Sequence, residues 1–240
     1  MQLYFIRHGQ SANNQLNELT GSDRGRSHDP ELTVTGRQQA RLLGDFLCLS
    51  LENSIGDDRD FQNRRGFGLT HLYCSFMLRA VATGAYLAEA LNLPLVAWKD
   101  WHENGGIYLD NEITGEPEGL PGNNRTFFEA HYPGLLLPDW LDDKGWWNRP
   151  YEVYEERLPR ARRVLAELLQ RHGGTDHHVA VVSHGGFYND FLAALNGLDR
   201  EPRAWFTMNN TAISRVDFID QRVDVVYSDR MDFLPAELIT

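Results

Sequence analysis

The sequence predicts an α/β fold: a three-layer sandwich with a mostly parallel central sheet flanked by helices. Two observations carry this. Short apolar runs of strand length alternate with longer stretches of helical periodicity, the pattern of βαβ units. The run Val179-Ala180-Val181-Val182-Ser183 is apolar almost end to end, as a central strand covered on both faces should be. The 240 residues, 42% hydrophobic and 24% charged, suffice for one substantial core. We expect a single domain over residues 1–240, with an irregular insertion at about 104–150 lying over the site.

Residues 2–6 form the first strand, ended by polar residues and a glycine. Residues 7–31 are polar and rich in Asn, Gly and Asp, and read as loop. Thr35 is the expected N-cap of a helix in which Ala40, Leu43, Phe46 and Leu47 recur at helical spacing, to about residue 51. Residues 52–68 read as surface loop. Residues 69–74 form the second strand, and Ser75 caps a helix running to about Leu91. Pro94 breaks it, and Leu95-Val96-Ala97-Trp98 is the third strand. Residues 104–150 hold many Gly, Pro, Asn and aromatic residues and are long for a connector, as functional lids are. A helix from about 151 to 172, the strand 179–183 and a helix from about 186 to 196 follow. Two strands near 211–218 and 222–228 close the chain as a hairpin around Asp220-Gln221.

Lys plus Arg number 23 and Asp plus Glu 34, a net charge of −11. That balance argues against a nucleic-acid partner, which needs a basic face, and against docking on an anionic membrane. An acidic chain that binds an anion must gather its arginines locally. Cys48 and Cys74 are too few for a disulfide framework and are expected as small buried apolar residues. No stretch approaches the ~20 apolar residues of a membrane span. No basic leader precedes the first strand, so a cytoplasmic location is expected.

Two strand ends carry the same chemistry. The first strand runs into Arg7-His8-Gly9, and Val182-Ser183 runs into His184-Gly185-Gly186. In open α/β sheets the ligand crevice lies at the carboxyl ends of the strands, so side-by-side strands would bring His8 and His184 together. Gly9 and Gly185 would let backbone N–H groups approach a ligand closely. Arg79 falls about one turn into the helix after the second strand, where the helix dipole disfavours a cation unless an anion is near. Glu103 follows the third strand, with Asp100 and Glu112 as competitors for any acid role. Such a set suits phosphoryl chemistry. Arg7 and Arg79 can grip non-bridging oxygens, neutral His8 can attack phosphorus, and His184 can donate to the phosphoryl group. Glu103 can protonate the leaving oxygen and later activate water.

Other features read more plainly. His177-His178 has no carboxylate or cysteine at ligand spacing and reads as a polar turn, not a metal site. His28, His71, His131 and His172 carry no motif, and Gly21, Gly25 and Gly36 form no nucleotide fingerprint. Arg125 reads as solvated, with a substrate's second charge as the alternative partner. Arg160, Arg162 and Arg163 read as a solvated charged helix face. The aromatic stretch from Trp140 to Tyr151 is either a substrate cap or a minor core.

Arg7-His8-Gly9-Gln10-Ser11 resembles the Arg-His-Gly-x-[Ser/Thr] signature of the histidine phosphatase superfamily, in its phosphoglycerate-mutase-like branch, and Asn14 matches an asparagine common just beyond it. Leu32-Thr33-x-x-Gly36-x-x-Gln39-Ala40, Tyr73-Cys74-Ser75-x-x-x-Arg79-Ala80-x-x-Thr83 and Val182-Ser183-His184-Gly185 resemble its later blocks, in order, and Glu103 falls at its acid/base glutamate. The resemblance implies a phosphohistidine on His8 in a pocket of Arg7, Asn14, Arg79, His184 and Gly185. It implies a small phosphorylated substrate, inorganic phosphate as product, no metal or other cofactor, and a homodimer. Two departures stand out: Phe76 replaces the family's usual proline, and residues 104–150 align with nothing. Cofactor-dependent mutases typically follow the glutamate with Arg-His-Tyr-Gly and the second histidine with Gly-Asn. Here Asn104-Gly105-Gly106 and Gly185-Gly186 stand instead, which favours a phosphomonoester hydrolase over a 2,3-bisphosphoglycerate-dependent phosphoglycerate mutase.

Overall fold

The computed structural model describes residues 1–49, 60–199, 204–220 and 222–240. The tail of the first expected helix, part of the expected loop 52–68 and the hairpin residue Gln221 lie outside the described residues. The strands are β1 (Gln2–Arg7), β2 (His71–Cys74), β3 (Leu95–Ala97), β4 (Tyr108–Asp110), β5 (Pro117–Gly119), β6 (Leu135–Leu136), β7 (His178–Ser183), β8 (Ile213–Ile219) and β9 (Arg222–Arg230). The helices are α1 (Ala12–Thr20), α2 (Val34–Leu47), α3 (Leu78–Leu91), α4 (Arg125–His131), α5 (Tyr154–His172) and α6 (Gly185–Leu195).

Among the described residues, the main sheet has seven strands in the order β6-β3-β2-β7-β1-β8-β9. Neighbours from β6 to β1 pair in parallel, while β8 and β9 pair antiparallel. Alternation along the strands divides the core. Tyr4, Ile6, Leu72, Cys74, Ala180 and Val182 face α2 and α3 on one side. Leu3, Phe5, Tyr73, Val179 and Val181 face α5 and α6 on the other. The result is the expected α/β layering with a mostly parallel sheet. Among the described residues, no helix is long and apolar enough to cross a membrane.

Several expectations need correction. Residues 7–31 are not all loop, because α1 forms there behind a capping box in which Ser11 and Asn14 bond each other's backbone N–H. None of its residues is buried, so it carries no apolar periodicity to read. The N-cap of α2 is Thr33, not Thr35, and its side chain accepts from Gly36 N. The N-cap of α3 is Met77, with no side-chain bond of its own. Ser75 sits three residues before α3, and Asp29 reaches in from a distant loop to accept Leu78 N–H at 3.0 Å. Arg79 is thus the second residue of α3. Cys48 is exposed as the C-cap of α2, while Cys74 is buried. Residues 104–150 are not irregular throughout: β4 and β5 form a two-stranded sheet, α4 follows, and β6 extends the main sheet beside β3.

Phe76 explains itself in this setting. Its ring packs on Phe128, Trp140 and Trp146 of the 104–150 segment at centroid separations of 5.6, 5.6 and 5.7 Å. Trp146 and Trp147 are buried, whereas Trp140 is half exposed. This part of the aromatic stretch is packed core, anchored on the residue that stands in place of proline.

Candidate active site

Strand register brings the motifs to one level. Arg7 pairs with Ser183, and Cys74 pairs with both Val182 and Ala97. The residues that follow, His8, Ser75, Trp98 and His184, therefore leave the sheet together at its carboxyl edge. The His8 and His184 ring centroids lie 5.1 Å apart. Arg7, His8, Asn14, Arg79 and Glu103 line one cavity of about 520 Å³. His184 is fully buried behind that wall, and neither it nor Gly185 lines the cavity itself. Asp100 pairs with Arg163 elsewhere, and Glu112 is exposed, so of the three candidate acids only Glu103 reaches the cavity. A cavity of about 590 Å³ lies at the opposite edge, lined by Met1, Gln2, His178 and Asp217 among others. It holds none of the residues gathered at the carboxyl edge.

His8 is held as one tautomer. Its Nδ1 lies 2.7 Å from the Gly9 carbonyl, which can only accept, so Nδ1 carries the proton. Nε2 then bears a lone pair, and Arg79 Nε–H donates to it at 3.0 Å. Burial, Arg79 and Arg7 in that order push His8 well below the usual imidazole range. His184 is likewise pushed well below it, by burial, Arg79 and His8. Ser75 Oγ meets His184 Nε2 at 2.9 Å, and the buried Nδ1 has no partner among the described residues. With Ser75 donating, that Nδ1 is an N–H free to meet an acceptor. Arg7 is anchored by a hydrogen bond from Nη1 to the Met208 carbonyl. Arg79 lies 4.0 Å from Asp29, whose carboxyl burial pushes up to about 7 against the opposing pull of Arg79.

The turn at His8 is packed tightly from behind. A Cβ on Gly36 would lie 2.1 Å from Gln10 O, and one on Gly9 would lie 2.5 Å from Gly36 O. The start of α2 therefore presses directly on the backbone beside His8. Gly9 N–H is already committed to Thr83 Oγ1 at 3.0 Å, so it is not offered to a ligand as the sequence reading expected. At Gly185 a Cβ would make only ordinary contacts, near 3.6 Å. Gly186 is the position that needs no side chain: a Cβ there would lie 2.4 Å from Glu103 Oε1.

Glu103 is docked on the first turn of α6. Its Oε1 accepts Asn104 N–H at 2.9 Å and Phe187 N–H at 2.8 Å, and Oε2 accepts Gly186 N–H at 3.1 Å. The loop carrying it is clamped by Arg160, which is fully buried and not part of the expected solvated face. Arg160 donates to Asp100 O at 2.8 Å, His102 O at 2.9 Å and Asn104 Oδ1 at 3.1 Å, and pairs with Glu152 at 2.5 Å. Arg162 and Arg163 do face solvent. Arg125 bonds Leu141 O and Pro138 O within the 104–150 segment and does not line the cavity.

Sequence reading missed four groups at this site. Asp29 caps α3 beside Arg79 from 49 residues away in sequence, with no local signal. Asn210 donates to His8 O at 3.0 Å and to Asn14 Oδ1 at 3.3 Å. An antiparallel β8 predicts that polar residues just before it, Asn209-Asn210-Thr211, lie at this edge, so that signal was present. Arg26 lies over the Tyr108 ring at 4.2 Å, and both line the cavity.

The model of the histidine phosphatase superfamily (branch 1) matches residues 3–51 and 61–229. A 2,3-bisphosphoglycerate-dependent phosphoglycerate mutase of Latilactobacillus sakei is 33% identical over 177 residues, covering 70% of this chain and 64% of the relative. The phosphoserine phosphatase of Entamoeba histolytica, solved with 3-phosphoglyceric acid, superposes with TM-score 0.59 at 19% identity, over 98% of this chain and 99% of that one. A mycobacterial glucosyl-3-phosphoglycerate phosphatase gives TM-score 0.53 at 22% identity, over 90% and 89%.

Proposed function

Since the chain belongs to the histidine phosphatase superfamily, we propose that it hydrolyses small phosphomonoesters through a phosphohistidine formed on His8. The observation that carries this reading is the fixed tautomer of His8, with a lone pair on Nε2 beside two arginines. Arg7 and Arg79 take the non-bridging oxygens, and His184 Nδ1–H meets the charge that grows on them in the transition state. His8 Nε2 forms its bond to phosphorus as the ester P–O bond breaks. Protonated Glu103 gives its proton to the departing oxygen. In the second half a water oxygen attacks phosphorus, its proton passes to the Glu103 carboxylate, and the P–N bond breaks to restore neutral His8. Guanidinium groups and fixed N–H donors supply the charge stabilisation, so no metal is invoked.

The cavity wall favours a polar leaving group. Besides Arg7 and Arg79 it carries Asn13, Asn14, Asn17, Glu18, Asp23 and Arg26. Such a wall fits a hydroxylated or amino-bearing alcohol better than an apolar one. The test is phosphate release from a panel of phosphorylated metabolites with chelator present. His8→Ala should lower kcat/KM by at least about 10³-fold; full activity in that variant ends the proposal. The mutase relative favours a second reading, isomerisation of 3-phosphoglycerate. Of the described cavity cations beyond Arg7 and Arg79, only Arg26 is left to hold a second anionic group, and it is stacked on Tyr108. We therefore expect hydrolysis to outpace isomerisation when both products are followed together.

A further inference from the structure

Three imidazoles converge at the sheet edge opposite the candidate active site. His71 begins β2, His172 ends α5, and His177 immediately precedes β7. Because β2 and β7 are parallel, their first residues share the amino edge as their last share the carboxyl edge. Along β7 the two edges are about 17 Å apart, at about 3.3 Å per residue. One nitrogen from each ring lies within 4.8 Å of the other two. His172 is buried, and His71 and His177 are half-buried.

The surroundings orient these rings as ligands. Thr70 Oγ1 accepts His178 N–H at 3.0 Å and donates to His178 O at 3.1 Å. With the hydroxyl hydrogen so directed, His71 Nδ1, 2.8 Å away, donates to Oγ1, and Nε2 keeps its lone pair. His172 Nε2 lies 3.0 Å from the Tyr73 hydroxyl, and its Nδ1 lies 3.0 Å from His177 Nδ1. With Nε2–H directed to Tyr73, His172 offers Nδ1 to the centre of the cluster. Thr175 braces the connection, donating to His172 O at 2.7 Å and accepting His177 N–H at 3.2 Å. The neighbouring charge of Arg171 is paired with Glu167 and stacked on Trp98.

We propose that His71, His172 and His177 form a binding site for a divalent cation of the imidazole-preferring class, with Zn²⁺ as its reference member. Hydrogen-bonded outer nitrogens on His71 and His172 are the usual support for metal-bound imidazoles. Ligands about 2.0–2.1 Å from one Zn²⁺ stand about 3.3 Å apart in a tetrahedron; His172 Nδ1 and His177 Nδ1 are already 3.0 Å apart, so binding asks for a closure of at most about 1.5 Å within the cluster. Two of the three rings are half-buried, which leaves a fourth position for water. Ions that demand oxygen ligands, Mg²⁺ and Ca²⁺, do not suit three nitrogens. The polar turn read at His177-His178 ends at His177, whereas His178 is the first residue of β7, with its Nδ1 2.6 Å from Phe67 O. The partners proposed for His177 come from about 100 residues earlier in the chain and from across a turn, so local spacing carries no sign of them.

The test uses the tag-free, chelator-treated full chain, titrated with Zn²⁺ by calorimetry and with Co²⁺ by visible absorption. We expect one saturable equivalent and Co²⁺ bands of four-coordinate intensity. His71→Gln and His177→Gln should each weaken Zn²⁺ binding at least about 10-fold while their metal-free melting temperatures stay with the parent's. His8→Ala should retain the equivalent, which separates this cluster from the imidazoles at the other edge. The proposal is overturned by the lack of a saturable equivalent, by unchanged affinity in both glutamine variants, or by loss of the equivalent in His8→Ala. In the first case the three rings are only a hydrogen-bonded cluster.

Discussion

Two guanidinium groups flank His8, and that neighbourhood decides how its chemistry should depend on pH. Burial, Arg79 and Arg7 all depress its pKa, so the neutral ring persists below the usual 6.5. Activity should therefore not fall through an acid limb near 6.5. The pH profile of kcat/KM should keep a functional nucleophile to distinctly lower pH, and a limb centred at 6.5 that disappears in a His8 variant would contradict this. Gly186 offers a second check. A methyl group there would lie 2.4 Å from Glu103 Oε1, and the carboxylate must move, since the backbone of α6 is packed. Gly186→Ala should lower kcat by about 10-fold or more with little change in KM, the pattern of a displaced acid/base rather than a lost binding contact. Steady-state kinetics on one good substrate reads both.

At the level of elements, α3 shows what the sequence could and could not reveal. Its apolar face and its stop near Leu91 were legible, and so were β1, β7 and α6, because each buries a continuous face. Its cap was not, because the group that satisfies Leu78 N–H is the distant Asp29 rather than Ser75. The same limit hid α1, which buries nothing, and misread Arg160, whose charge is neutralised inside the fold by Glu152 eight residues back. The motif histidines and arginines stood out because local sequence places them at strand ends. Of the residues that brace them, Asp29 and Arg160 act across long sequence separations and leave little local trace, while Asn210 is marked by its place just before an antiparallel β8. Asp29 makes a thermodynamic prediction. Its carboxyl is pushed up to about 7 in the folded chain, above its unfolded value. The folded state thus binds the extra proton, and stability falls as pH rises from about 4 to 7. Asp29→Asn keeps an acceptor for Leu78 N–H without that liability. Its melting temperature relative to the parent should be higher at pH 8 than at pH 5; an equal or smaller difference at pH 8 would contradict the assignment.

Across the whole molecule, the sheet works as a spacer with a different imidazole group at each edge. The parallel register that levels His8 with His184 also aligns His71 with the start of β7. The 104–150 segment is anchored on Phe76 and, through β6, on the main sheet, and of its residues Tyr108 reaches the cavity. Its aromatic mass is therefore a buttress. Specificity should depend on the Arg26–Tyr108 contact more than on the tryptophans. The charge distribution has a kinetic corollary. A net −11 body carries Glu18 and Asp23 beside the arginines. An incoming dianion thus climbs a repulsive hill before it falls into the short-range well. Salt flattens a hill of that reach, since the Debye length is about 10 Å at 0.1 M, but it barely touches contacts made at van der Waals distance. Turnover of dilute substrate should accordingly quicken as ionic strength rises from about 10 to 100 mM, the reverse of an enzyme that draws its substrate in by long-range attraction.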